Sequence, residues 1–276
     1  VGRLNEKVVI VTGAAMADEA GYNIGGATAA DVVAEGGRVV VTGRNAEGGE
    51  RLAAHLNEKF GAGSAVARPV DLMSEDQIAD LITFTVGTFG ALDVLMNIAA
   101  LFHPQDGDLA SISSQTWDTV MGVNLRGTML TTKYALPELL KSRGVIVNTS
   151  STHALAGDTS FTAYGASKAA VLALTQYTAT QYGAAGVRCN VVVPGVTTSP
   201  KVQLAPEPVL DIYRRHTPAP TLNTPEEVAK VYTFLGSSDS ASMNGAQVQV
   251  DAGMFAHQSF TPDTVALGKA TTDTLG

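Results

Sequence analysis

Val8-Val-Ile-Val-Thr-Gly13 sets five β-branched residues in a row and stops them with a glycine. β-Branched side chains suit the pleat of a strand, and a run apolar on both faces marks a strand covered by protein on both sides. Beyond Gly13 a helical pattern starts near Ile24-Gly-Gly-Ala-Thr-Ala29. A buried strand that turns through glycine into a helix is the first half of a strand–helix–strand unit.

The same unit recurs along the 276 residues. Candidate strands follow at Arg38–Thr42, which ends at Gly43, at Ser64–Val70, Leu92–Asn97, Gly144–Thr149, Arg188–Val193 before Pro194-Gly195, and Gln247–Val250. Helical stretches lie between them at about 24–35, 46–60, 74–89, 113–140, 162–183 and 225–236. Thr224 precedes Pro225-Glu-Glu as a helix N-cap with proline in the first position, and Ser74 caps Glu75-Asp-Gln in the same way. This alternation predicts an α/β fold: a doubly wound, seven-stranded parallel Rossmann-type sheet in three αβα layers, with ligands bound beyond the carboxyl ends of the strands. No repeat or linker divides the chain, so residues 1–276 read as a single domain. Residues 196–223, with five prolines, read as a substrate lid. Residues 256–276, rich in Thr, Gly and Asp, read as a C-terminal extension, either a loose tail or a segment docked on a neighbouring subunit.

Composition removes several classes of function. Apolar residues make up 45% and charged residues 16%, which is the balance of a folded chain. The net charge is −8 and no Lys/Arg cluster stands out, so neither nucleic acid nor a membrane surface is an expected partner. Cys189 alone gives no intrachain disulfide and no cysteine-rich zinc site, and no His/Asp/Glu spacing suggests a metal. No apolar run approaches the roughly 20 residues of a membrane span, and Val1-Gly-Arg-Leu-Asn5 does not read as a signal peptide. A cytoplasmic protein is expected.

Two constellations carry chemistry. Thr12-Gly13-Ala-Ala with Ile24-Gly25 is a glycine-rich strand-to-helix turn, where backbone amides and the helix dipole can meet a pyrophosphate. Eleven residues separate Gly13 from Gly25, which is too many for a standard dinucleotide loop, and an ordinary glycine turn would read alike. Tyr164-Gly-Ala-Ser-Lys168 places a phenol and an ammonium on one helical face. A nearby ammonium favours the phenolate and lowers the tyrosine pKa, which suits proton exchange near neutral pH. A solvated pair would show the same spacing. Ser151 stands 13 residues before Tyr164 at the end of a buried strand, and Asn124 lies 27 residues before Ser151.

With these pieces in this order, the chain resembles the classical short-chain dehydrogenase/reductase family over about residues 5–255. The matching segments are Thr12-Gly13 with Ile24-Gly25, Asp71-Leu72, Asn97-Ile-Ala-Ala100, Asn124, Ser151, Tyr164/Lys168, Pro194-Gly195 and Val250-Asp-Ala-Gly253. The resemblance implies that Tyr164 is the general acid in reduction and the base in oxidation. Lys168 would bind the nicotinamide ribose and depress the tyrosine pKa, and Ser151 would hold the substrate oxygen, with Ser150 as its rival. Asn124 would anchor a water that links Lys168 to solvent. Gly13, Asn23, Ile24 and Gly25 would form the cofactor loop, Asp71 and Leu72 would meet the adenine, Asn97 and Ala99 would brace the loop, and Pro194, Gly195 and Thr198 would face the carboxamide.

The departures from the family pattern matter. Asn23 stands where the second glycine belongs, after about six extra residues; asparagine tolerates positive φ, so the turn would survive. Longer first loops occur in enoyl-reductase-like relatives, which use a different tyrosine spacing. Ala100 replaces a glycine beside the cofactor. After the second strand, Gly43 takes the place of the acid of NAD-specific members and Arg44 follows it. Arginine there can pair with a 2′-phosphate, so NADP(H) is favoured over NAD(H), although a solvated turn arginine reads the same and Asp18 and Glu19 could oppose a phosphate.

The expected activity is interconversion of a ketone and a secondary alcohol. The substrate would be a small to medium, largely apolar carbonyl compound, because the lid offers Val202, Leu204, Val209, Leu210 and Ile212. The alternatives are an NAD-dependent dehydrogenase of a diol or hydroxysteroid-like alcohol and a non-catalytic dinucleotide-binding scaffold. His153 is a candidate substrate-pocket residue. His103 and the group Arg214, Arg215 and His216 read first as surface, Trp117 as packing and Cys189 as a buried filler. Family resemblance implies a homotetramer or homodimer built through the helices around 113–140 and 162–183 and the last strand.

Overall fold

The structure, a computed structural model, describes residues 2–17 and 21–273. The strand-forming runs pair as one parallel sheet. Its members are β1 (Val8–Thr12), β2 (Arg38–Thr42), β3 (Ala65–Ala67), β4 (Val94–Asn97), β5 (Val145–Thr149), β6 (Arg188–Pro194) and β7 (Gln247–Val250), in the order β3-β2-β1-β4-β5-β6-β7. Strand order reverses between β1 and β4, which opens a crevice at the carboxyl ends. β3 is shorter than Ser64–Val70, although Arg68 N and Val70 N beyond it still donate to Val41 O and Gly43 O.

Alternate residues of each strand serve opposite layers. Val9, Val11, Val39, Val41, Met96 and Val147 pack on one face with α1 (Ile24–Ala34), α2 (Ala46–Phe60) and, later in the chain, the helix Pro225–Gly236. Ile10, Val40, Leu95, Ile146 and Cys189 pack on the other with α3 (Glu75–Phe89) and the helices that follow it. Asn45 and Ser74 cap α2 and α3 through side-chain oxygens.

The expected helix 113–140 is two helices. α4 (Ser114–Met121) and α5 (Gly127–Ser142) flank a π-type turn, Gly122–Arg126, which carries Asn124. Glycine leaves room at both ends of that turn: a Cβ on Gly127 would meet Leu72 Cβ at 2.9 Å, and one on Gly122 would press on the exposed Met73 side chain. α6 (Thr162–Tyr182) carries Tyr164 and Lys168. The lid segment holds α7 (Pro200–Gln203) and α8 (Glu207–Arg215), with Leu210 buried and Leu204 and Ile212 exposed. α9 (Pro225–Gly236) starts with the expected Thr224 cap, closed by the Glu227 side chain. The C-terminal extension carries a helix, α10 (Thr261–Asp273), after a turn in which Thr261 N donates to Gln258 O. Among the described residues no helix is long and apolar enough to cross a membrane.

Candidate active site

The first loop leaves β1 at Gly13, where φ is +70° and a Cβ would lie 2.6 Å from Ala99 Cα, so only glycine fits. Within the longer loop, Met16–Ala17 pair antiparallel with Gly21–Tyr22 in two rungs, the stem of a hairpin. Asp18 and Glu19, considered above as opponents of a phosphate, lie outside the described residues.

Asn23 brings the hairpin back to the loop. Its Oδ1 accepts from Gly26 N at 2.7 Å and Ala15 N at 3.2 Å, and its Nδ2 donates to Gly13 O at 2.9 Å. The expectation of positive φ is corrected: Asn23 is extended, with φ −79° and ψ 175°. It keeps the turn as a side-chain brace and N-cap, not through a left-handed backbone. Gly25 packs so closely that a Cβ would meet Gly13 O at 2.6 Å, and the first turn of α1 carries no acid. Ala100 does not have positive φ, so the lost glycine imposes no strain there.

Behind this loop lies a buried polar floor. Thr12 Oγ1 accepts from Ile98 N and Ala99 N. Asn97 donates to Asn148 Oδ1 at 3.0 Å and accepts from Thr131 Oγ1 at 2.7 Å. Thr149 Oγ1 donates to Asn97 O and lies 2.6 Å from the Tyr232 hydroxyl. Every side-chain group of Asn97 is thus engaged in bracing β4 against β5 and α5. Burial pushes the Cys189 thiol up to about 12, so it is inert filler.

Ser151, Tyr164 and Lys168 come together where β5 ends and α6 begins. Ser150 Oγ donates to Lys168 O at 2.8 Å, so that hydroxyl is committed to the helix backbone. Of the two serines, Ser151 is the one that acts on the Tyr164 phenol, easing its ionisation. His153 Nδ1 lies 3.4 Å from Ser151 Oγ, and its Nε2 lies 3.3 Å from Asp158 Oδ2. Lys168 Nζ is wholly buried and donates to Thr149 O at 2.9 Å. Asn124 binds Leu101 N and O through its amide and donates to Ser167 Oγ at 3.1 Å, joining the π-turn to the loop after β4 and to α6.

The expected lowering of the Tyr164 pKa by Lys168 is corrected. Burial pushes the phenol up to about 12, against the opposing hydrogen bond from Ser151. Burial also pulls the Lys168 ammonium down to about 7, so its charge is partial near neutrality, and Nζ lies 5.8 Å from the phenol ring centroid.

The outlying candidates are placed as follows. Arg44 is exposed beside Gly43 and makes no ion pair among the described residues. Asp71 Oδ1 accepts from Met73 N, and Leu72 is buried against the π-turn. Pro194 ends β6. Gly195 is so close to β7 that a Cβ would meet Asp251 Cα at 2.8 Å. Thr198 is tied through N and Oγ1 to Asn223 O at the base of the lid. Arg214 pairs with Glu207 and Asp211 on its own helix, so it forms a surface network. His103 Nδ1 accepts from Gln105 N in the loop after β4.

A family model described as enoyl-(acyl carrier protein) reductase matches residues 17–255. A probable short-chain type dehydrogenase/reductase of Bradyrhizobium diazoefficiens is 38% identical over 261 residues, 93% of this chain and 90% of its own. The chain belongs to the short-chain dehydrogenase/reductase family. Another similar member is the 7α-hydroxysteroid dehydrogenase of Bacteroides fragilis, 33% identical over 93% of this chain and 97% of its own. The crystal structure of a short-chain dehydrogenase/reductase from Burkholderia xenovorans superposes with a TM-score of 0.87 at 27% identity, covering 94% of this chain and all of that one.

As a short-chain dehydrogenase/reductase the protein is an oxidoreductase acting between alcohols and carbonyl compounds with a nicotinamide dinucleotide. The residues present fit such a cofactor. The acid-free start of α1 suits a pyrophosphate, and Gly43 leaves open the space beside Gly13, with nothing nearer than 3.7 Å to a Cβ placed there.

Sequence reasoning missed three residues of this site. Asp106 is buried and accepts from Ala163 N at 2.9 Å and Tyr164 N at 2.8 Å, capping α6 from another loop. Phe161, at the α6 N-cap, has φ +60° and no side-chain cap of its own, and its N–H donates to Asp106 O. Phe102 stacks on Tyr164 with ring centroids 3.9 Å apart and planes at 24°. Only the aspartate within a loop after the fourth strand hinted at a cap, and nothing in its spacing named the partner.

Proposed function

We propose that the protein is an NADP(H)-dependent oxidoreductase that interconverts a ketone and a secondary alcohol, with Tyr164 as general acid and base. One observation carries this reading: Ser151 and Tyr164 lie together at the sheet edge that also holds the glycine loop, Ser151 easing ionisation of the phenol and Lys168 Nζ standing 5.8 Å from its ring. Gly13, Asn23, Ile24, Gly25, Asp71, Leu72, Asn97, Ala99, Pro194, Gly195 and Thr198 would hold or brace the cofactor, which supplies or takes up the hydride. Ser151 fixes the substrate oxygen against Tyr164 Oη. The phenol gives its proton to that oxygen in reduction and takes it back in oxidation. Lys168 lies behind the phenol, and Asn124 ties its helix to the loop after β4. Arg44, next to Gly43, supports the preference for a 2′-phosphate. The four-residue Tyr164–Lys168 spacing supports carbonyl rather than enoyl chemistry, although the matched family model is described by an enoyl reductase.

The test joins binding to turnover. Nicotinamide fluorescence should show NADPH binding more tightly than NADH, and cofactor absorbance should report ketone reduction. Tyr164→Phe should lower turnover at least about a hundredfold while sparing cofactor binding. Retained turnover in that variant sinks the assignment. The hydroxysteroid dehydrogenase relative favours a second reading, NAD-dependent oxidation of a diol or hydroxysteroid-like alcohol, and an NADH preference would select it. We further propose assembly as a homotetramer or homodimer, supported by the exposed Met129 and Leu140 on α5 and Tyr177 on α6.

A further inference from the structure

Three rings gather about the Tyr164 phenol. Phe102 lies flat on Tyr164. Phe161 stands edge-on to Phe102 at 5.6 Å and 89°, and His153 stands edge-on to Tyr164 at 5.5 Å and 85°. Phe161 and His153 meet each other at 5.9 Å and 90°. These are stacked and T-shaped geometries of the kind that aromatic quadrupoles favour. The holders of these rings are built in. Phe161 sits in a left-handed backbone position fixed by Asp106, and His153 is fixed by Asp158 on one ring nitrogen and Ser151 on the other. Phe102 differs: it is 42% exposed, while the phenol beneath it is 4% exposed. The exposed Phe102 ring thus covers one face of the phenol.

Resting on the function proposed above, we propose that Phe102 is a placeholder for the substrate's own ring, and that the enzyme acts on flat, ring-bearing ketones and alcohols, aryl ketones above all, in preference to linear acyl chains. The slot beside Tyr164 accepts a planar ring now, stacked on the phenol and edged by Phe161. A substrate ring that displaces Phe102 inherits those contacts and brings its carbonyl to Tyr164 and Ser151. A linear chain of equal carbon number forfeits the stacking and the edge contacts.

The experiment compares acetophenone, 2-octanone and acetoacetyl-coenzyme A with the intact protein and NADPH. The expected result is kcat/KM about tenfold higher for acetophenone than for either linear substrate. Phe161→Leu should shrink that ratio several-fold, and Phe102→Ala should lower the acetophenone KM by removing the competing ring. Equal or better turnover of the linear substrates overturns the proposal while leaving the ketone reductase reading intact, and a raised acetophenone KM in Phe102→Ala overturns the placeholder role. If no ketone is reduced, the function reading fails. Calorimetric titration of the protein with acetophenone then decides the ring slot separately: binding that weakens in Phe161→Leu supports it, and no binding overturns it.

Discussion

Tyr164 N donates to Asp106 Oδ2 at 2.8 Å, across 58 residues of sequence. The helix that carries the proposed acid–base phenol is therefore capped by the loop after β4, not by its own preceding residue. Phe161, in that preceding place, offers no side-chain cap. Asp106→Ala leaves two buried amides without acceptors. It should cost about 2–3 kcal/mol in urea unfolding and lower kcat about tenfold while NADPH binding stays within twofold. Asp106→Asn, which keeps one acceptor oxygen, should recover part of both losses.

Lys168 gives the fold a pH signature. Its folded pKa, about 7, lies below the ordinary 10.5, so between those values the unfolded chain binds more protons than the folded one. Stability therefore rises with pH across that window, and below about pH 7 the buried ammonium exerts its full cost. Lys168→Met removes the effect. Relative to wild type the variant should be more stable by roughly 3–5 kcal/mol at pH 6, with the gap closing toward pH 10. A gap independent of pH in matched urea titrations would count against the buried charge.

Asn23 closes the first loop with three hydrogen bonds. Asn23→Ala should loosen the approach of Gly13 to the start of α1. NADPH binding, read by fluorescence, should weaken about tenfold, with about 1 kcal/mol lost in unfolding. Unchanged binding would place the pyrophosphate away from this loop.

Arg44 is exposed beside Gly43, so its removal should not disturb folding. Arg44→Ala should weaken NADPH about tenfold and leave NADH nearly unchanged, erasing most of the preference. An equal loss for both nucleotides would show that the guanidinium serves the adenine ring rather than the 2′-phosphate.

The sheet was legible because β-branched runs such as Val8–Thr12 report their own burial, and each run ends at the edge where the chemistry gathers. Ser151, Tyr164 and Lys168 were legible because one helix and one strand end fix their spacing. Asp106 was not, since its partner amides come from distant chain and a carboxylate reveals nothing of its acceptor geometry. The π-turn around Asn124 hid inside a helical pattern, because Gly122 and Gly127 serve contacts with Met73 and Leu72 that periodicity does not encode. The direction of the Tyr164 shift was misread for a similar reason. Spacing shows a nearby lysine, but only packing shows that both groups are dry.

The hairpin between Ala15 and Asn23 has one more consequence. Its two ends are tied by the Ala15 N–H to Asn23 Oδ1 bond, so the stem begins and finishes at nearly the same point in space. Changes of length at its tip need not shift the register of β1 or α1. Such a closed graft is a place where descendants of this chain can gain or shed residues, or where a tag or reporter peptide can be spliced, while the glycine turn beneath stays in place.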